Sequence, residues 1–112
     1  MSFRDYQNQV NDWVQQFKPP YWPVPQQFTH LVEEVGELAR EVNHKYGIKK
    51  KKPSETGGSI EEQLAELAFV LCCIANTTET DLHKEWEKMM QQRHYGRDNQ
   101  RFERKDNNPI QS

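Results

Sequence analysis

Between Leu64 and Ala75 apolar side chains point in almost every direction around a helix, and Glu66 is the lone charge among them. A helix with no polar face is covered on all sides. In a chain of 112 residues it is therefore expected at the centre, with the remaining elements packed around it. The stretch is too short to span a bilayer, so no membrane partner is expected. Cys72 and Cys73 lie inside it, and neighbours on a helix diverge by about 100°, so the two do not readily bridge. Buried free thiols point to a reducing, cytoplasmic setting. The start, Met1-Ser2-Phe3-Arg4-Asp5, has no apolar stretch of the signal-peptide kind.

Three more helices are expected around this one. Tyr6, Val10, Trp13, Val14 and Phe17 recur at three and four residues and predict a first helix from about Phe3 to Phe17. It stops at Lys18-Pro19-Pro20, because a residue before proline avoids helical torsions. Pro25 suits the first position of a second helix, running from about Gln26 to Tyr46. There Phe28, Leu31, Val32, Val35, Leu38, Ala39 and Val42 form an apolar stripe, and Gly47 is the expected stop. A basic loop with Lys49, Lys50, Lys51 and Lys52 leads to Ser59, which with Glu62 makes a capping-box signature for the third helix, to about Asn76. The fourth runs from near Thr80-Asp81 to about His94. The expected organisation is an all-α four-helix domain over residues 1–95 with a polar tail over 96–112, rich in arginine. Hydrophobic residues are 34% of the chain, which is lean, so subunits are expected to complete one another's core as a homodimer or homotetramer. Charged residues reach 29% with a net charge of -2, both signs being interspersed. That is not the profile of a nucleic-acid binder.

The second helix carries Glu33, Glu34, Glu37 and Glu41. At about 100° per residue, Glu34, Glu37 and Glu41 share a narrow arc beside the apolar stripe, while Glu33 points further away. Taken singly they are as well explained by a solvated face with Glu37–Arg40 and Glu41–Lys45 pairs. The third helix changes the balance, because Glu66 is expected to be buried and a buried carboxylate needs a partner or a metal. Gln63 lies one turn earlier on the inward side with Val70 and Ile74, and Glu62 on the other flank of Glu66. Carboxylates on two facing helices form an oxygen-rich cage suited to Mg²⁺ or Mn²⁺, and such an ion takes phosphate oxygens as further ligands. The chemistry indicated is phosphoryl or nucleotidyl transfer. Trp22 and Tyr21 are positioned to stack on a base or to serve packing. His30, His44, His83 and His94 show no metal-ligand spacing and are expected at ordinary surface or interface positions.

The segment Leu31-Val32-Glu33-Glu34-Val35-Gly36-Glu37-Leu38-Ala39 resembles the first acidic motif of the MazG-like all-α nucleotide pyrophosphohydrolases. Glu62-Gln63-Leu64-Ala65-Glu66-Leu67 falls where that family has its second, E-E-x-G-D, motif. The resemblance covers roughly Tyr6 to Arg97. It implies helical subunits joined as dimers or tetramers, Mg²⁺ held by acids of both motifs, water attacking the α-phosphorus of a nucleoside triphosphate, and release of pyrophosphate. Carried over by position, Glu34 and Glu37 are metal ligands, Glu33 is a ligand or water-orienting base, and Glu66 stands in the aspartate position. Gln63 stands where the family has a glutamate, supplying a neutral oxygen, and Glu62 is the remaining acid for a four-ligand set of Glu34, Glu37, Glu62 and Glu66. Lys45 falls where the family often carries a phosphate-binding lysine, while Arg93 and Arg97 are cations available from the C-terminal end and the lysine loop is available to close over the substrate. The implied activity is Mg²⁺-dependent hydrolysis of a standard or noncanonical (deoxy)nucleoside triphosphate. The alternative is a MazG-like paralogue that binds nucleotides as a sensor without turnover.

Overall fold

The computed structural model describes residues 1–103 and 105, and these form helices with no strand among them. Four α-helices follow in order, α1 Phe3–Val14, α2 Val24–Tyr46, α3 Ile60–Thr77 and α4 Leu82–Met89. α4 continues into a π-helical stretch, Met90–Asp98, and a last α-turn, Asn99–Arg101. The chain thus stays helical seven residues beyond the expected end near His94, that is, from 94 to 101. The wide π turns bring the Gln91 carbonyl to 2.9 Å of where a Cβ on residue 96 would sit, which is why Gly96 is there. The remainder of the tail, Arg104 and 106–112, lies outside the described residues.

α1 begins with a full capping box: Ser2 accepts from the Asp5 N–H, and the Asp5 carboxylate accepts from Ser2 N–H at 2.7 Å. It ends at Val14, short of Phe17, because the bond from Phe17 N–H to the Val14 carbonyl spans three residues and tightens the chain out of the α-helix. α2 starts at Val24, so Pro25 occupies its second position. α3 is capped by Ser59, whose hydroxyl accepts from the Glu62 N–H at 3.1 Å. The second half of the expected box is not formed, and the backbone N–H of Glu61, with the Ser59 hydroxyl, lowers the Glu61 carboxyl below the usual carboxylate range. Glu62 is left exposed.

α3 packs against α2 along most of its length and against α1 along its second half. The core lies at the α1–α3 seam, where Val10, Val14 and Cys72 are buried under Tyr21, Phe69, Cys73 and Leu82. Val70 is 1% exposed. Gln7 is buried in the same seam with every polar atom partnered. Its Nε2 donates to Asn76 Oδ1 and the Thr80 carbonyl at 2.9 and 2.8 Å, and its Oε1 accepts from Leu82 N–H at 2.9 Å. This locks α1 onto the α3–α4 turn.

The expectation that α3 is covered all round does not hold for the single chain. Leu64 and Leu71 are 52% and 48% exposed, and the α2 stripe is divided: Leu31 and Leu38 face α3, whereas Phe28, Val32, Val35 and Val42 are open. Two neighbouring helices, α2 and the short α1, cannot surround a helix, so one side of α3 and one side of α2 stay bare. Glu66 shares that openness. It is exposed, not buried, and the burial argument for its function is withdrawn. Both cysteines are free, as expected. Burial raises the Cys72 thiol and pushes Cys73 up to about 11. Among the described residues no helix is long and apolar enough to cross a membrane.

Candidate active site

α2 and α3 bring two carboxylates and one carboxamide together. Gln63 faces α2 because it sits one turn and two turns before Leu67 and Val70 on the packed side of α3. Its Nε2 donates to Glu37 Oε2 at 3.2 Å, and its Oε1 is buried without a partner. Glu34, three residues before Glu37 and on the same face, is also turned inward. Its Oε1 meets His30 Nε2 at 3.2 Å and its Oε2 is buried without a partner. Two buried oxygens lacking donors, one on Glu34 and one on Gln63, are costly in isolation and are what a cation between the helices would satisfy.

The other expected acids are placed differently. Glu33 is exposed on the flank of α2, lining a shallow depression with Trp22, Gln26, Thr29 and His30. Glu62 and Glu66 project as exposed side chains from adjacent turns of α3, on the row that continues to Phe69 and Cys73. Among the described residues no three His, Cys, Asp or Glu side chains stand grouped to hold a metal. The inward set is Glu34, Glu37 and Gln63. Glu41 is not part of it, because the Lys51 ammonium donates to both its oxygens at 2.9 and 3.0 Å and to the Gly57 carbonyl at 2.9 Å. The anticipated Glu37–Arg40 and Glu41–Lys45 pairs are thereby replaced, since Arg40 instead meets Glu55 at 3.3 Å.

Of the expected cations, Lys45 follows Glu34, Glu37 and Glu41 on one face of α2 at about 100° per residue. It is exposed, with Nζ 5.3 Å from the centre of the Tyr46 ring. The lysine loop divides. Lys51 reaches the acid face at Glu41, whereas Lys49, Lys50 and Lys52 gather with Arg40 and Glu55 over Gly36, Ala39 and Asn43, on the side of α2 turned away from Glu34 and Glu37. Arg93 and Arg97 stand on the π-helical arm beyond α4, which is anchored chiefly through α1, and Arg97 pairs with Asp98 at 3.0 Å. They are not brought to the acid face.

Beside Glu34 opens a cavity of about 460 Å³ whose walls include Trp13, Phe17, Tyr21, Trp22 and Phe69. Trp13 packs edge-on against Phe69 at 5.9 Å, and Trp22 lies 5.6 Å from His30. His30 belongs both to this cavity and to the Glu34 contact, so it joins the aromatic chamber to the acids. From sequence His30 is expected at an ordinary surface or interface position, and Gln27 is not distinguished. The His30–Glu34 spacing of four residues was a usable signal, whereas Gln27 depends on contacts from α3 that no local pattern encodes.

Comparisons with known proteins identify the family. The model of the MazG nucleotide pyrophosphohydrolase domain matches residues 26–102. YpjD of Bacillus subtilis strain 168, an uncharacterized protein, is 39% identical over 105 residues, 94% of each chain. A crystal structure of B. subtilis YpjD superposes with a TM-score of 0.74 at 38% identity, covering 84% of this chain and 96% of that one. The Bacillus-conserved MazG protein, described as a nucleotide pyrophosphohydrolase, gives 0.71 at 34% identity over 95% of this chain and 96% of its own. With the family match running through both acid-bearing helices and these relatives aligned over nearly their whole length, the chain belongs to the MazG nucleotide pyrophosphohydrolase family.

Proposed function

We propose that this protein hydrolyses a nucleoside triphosphate to the monophosphate and pyrophosphate, using Mg²⁺ or Mn²⁺ held between α2 and α3. The observation that carries the reading is the pair of buried oxygens without donors, Glu34 Oε2 and Gln63 Oε1, next to Glu37. An all-oxygen donor set with two carboxylates fits a hard divalent cation. When bound, the ion supplies neutralisation of phosphate charge and activation of water. Glu34, Glu37 and Gln63 would hold it, with Glu62 and Glu66 as the further carboxylates of the ligand set.

The remaining work falls to other side chains. Lys45 takes a phosphate oxygen on the acid face. The aromatic chamber, with Trp22 at its edge, takes the base. In the reaction a water oxygen bonds to the α-phosphorus, the bond from that phosphorus to the α,β-bridging oxygen breaks, and pyrophosphate leaves with the electron pair. Glu33 receives the proton lost by the water. We assign Arg93 and Arg97 to phosphate contact only within an assembled homodimer or homotetramer, since in one chain they stand on a separate arm. The exposed faces of Phe28, Val32, Val35, Leu64 and Leu71 support such an assembly.

A second reading, nucleotide binding without turnover, is favoured by one observation. Gln63 both removes a charge and occupies Glu37 Oε2 with its own N–H. Pyrophosphate release from a panel of nucleoside triphosphates with Mg²⁺, Mn²⁺ or EDTA separates the two. Metal-dependent release supports the enzyme, and nucleotide binding without release supports the sensor.

A further inference from the structure

The loop that carries Lys49 to Lys52 is tied down on both sides. Lys51 turns its largely buried ammonium to both oxygens of Glu41, at 2.9 and 3.0 Å, and to the Gly57 carbonyl at 2.9 Å. Its backbone N–H donates to His44 Nδ1 at 2.9 Å. The Lys50 ammonium donates to the His44 carbonyl at 2.8 Å, and the Lys52 N–H donates to Glu55 Oε1 at 2.9 Å. A run of lysines is ordinarily a solvated, freely moving loop. Here the backbone between the charges is held, so the side chains of Lys49, Lys50 and Lys52 start from set positions and an incoming anion has less ordering to impose.

These lysines surround a depression of about 340 Å³ on α2, opposite Glu34 and Glu37. Four cationic side chains, Arg40, Lys49, Lys50 and Lys52, line it with one carboxylate, Glu55. That carboxylate is already paired. Its Oε2 meets Arg40 Nε at 3.3 Å, and the Lys52 N–H, with the cations nearby, holds its carboxyl below the ordinary carboxylate range. Four positive charges against one negative leave +3 here, in a chain whose net charge is -2. Among the described residues no ion pair reaches Lys49 or Lys52. Like charges gathered around a concave surface attract and concentrate an anion.

The floor of the depression also leaves room for an occupant. Gly36 lies there, in the interior of α2, where glycine costs stability relative to alanine. A Cβ on Gly36 would meet nothing within 4 Å, so packing among the described residues does not demand the glycine. No aromatic ring lines the depression, so nothing in it can stack on a base.

We propose that this depression is an anion site for a diphosphate or triphosphate group, free or as the tail of a nucleotide, recognised by charge alone. It is separate from the acid face and needs no divalent cation. Arg40 offers the guanidinium N–H groups not turned to Glu55. Lys49 and Lys52 offer whole ammonium groups, and Lys50 the hydrogens not given to His44. A group with several anionic oxygens engages more of these than a single phosphate does.

Calorimetry in EDTA, where the acid face has no metal with which to hold phosphate, tests the proposal. The probes are pyrophosphate, inorganic triphosphate, adenosine and uridine triphosphates, and adenosine monophosphate. One pyrophosphate is expected to bind per chain, and the monophosphate about tenfold or more weakly, the scale of one lost charge-assisted hydrogen bond. Inorganic triphosphate and the two nucleotides are expected to bind alike. Lys49→Ser combined with Lys52→Ser changes two exposed side chains and is expected to weaken pyrophosphate binding about tenfold or more, whereas Lys45→Ser, on the acid side of α2, is expected to leave it unchanged. Three results would overturn the proposal: no pyrophosphate bound, affinity unchanged in the Lys49 and Lys52 variant, or affinity lost in Lys45→Ser. Nucleotides that bind where inorganic triphosphate does not would overturn it too, placing the ligand in the aromatic chamber. Pyrophosphate release with metal tests the hydrolase reading separately, so the two can fail independently.

Discussion

Glu37 accepts from the Gln63 carboxamide at 3.2 Å while Gln63 Oε1 and Glu34 Oε2 remain buried and open, so the three side chains respond to mutation as a unit. Glu37→Gln is expected to reduce pyrophosphate release to background while the far-UV circular dichroism stays that of the wild type. Unchanged turnover would remove Glu37 from the site. Gln63→Glu adds a negative charge facing Glu37 and is expected to tighten Mn²⁺ binding about tenfold or more by calorimetry, at the cost of carboxylate repulsion in the metal-free protein. The spacing of Glu34, Glu37 and Gln63 was enough to put them on facing sides of two helices. The sequence could not show that Glu66 is exposed, because burial depends on how many helices surround α3 and not on how apolar α3 is. Gln7 and Gln27 were equally hidden, since a glutamine's value is set by partners from distant elements, here Leu82 and Thr77.

The helices themselves were legible, because periods of three and four residues and the Ser59 cap are local, and the misses lie at their ends. α3 ends within one residue of the expected Asn76, but its cap was not foreseen. Glu79 adopts φ 56°, and the bonds Thr80 N–H to Ala75 carbonyl at 2.8 Å and Glu79 N–H to Asn76 carbonyl at 3.4 Å complete the left-handed cap usually given to glycine. Glu79→Gly is expected to stabilise the fold by about 1 kcal/mol, seen as a higher denaturation midpoint. Lower stability would mean the Glu79 side chain contributes more than its backbone costs. At the start of α4 the Arg4 guanidinium, 2.8 Å away, and the Lys84 N–H hold Asp81 below its ordinary value of 3.8. A carboxyl lowered by folding stabilises above its unfolded value and loses that contribution as pH falls through the folded one. The thermal midpoint is therefore expected to drop as pH falls below 3.8, and Asp81→Asn to lose part of that dependence. An identical acid limb in the variant would show that the α1–α4 contact contributes nothing.

For the whole molecule, the Cα radius of gyration is 18.4 Å against about 13 Å for a compact domain of this length. Among the described residues only five apolar side chains, Val10, Val14, Val70, Cys72 and Ala75, are buried. The lean composition foreshadowed this shape, because the helices present more apolar surface than one chain covers. Light scattering is expected to give a mass two or four times 13.4 kDa, and Val35→Glu to lower it toward one chain by placing a charge on the open α2 face. A monomeric wild type would contradict the assembly. The claim at the centre is that the α2–α3 acids support metal-dependent hydrolysis of a nucleoside triphosphate. Its most direct test is pyrophosphate release across standard and modified (deoxy)nucleoside triphosphates, with Mg²⁺, with Mn²⁺ and with EDTA. Release from at least one substrate that EDTA abolishes and Glu37→Gln removes is the predicted result; folded protein that releases none under any of these conditions would contradict it.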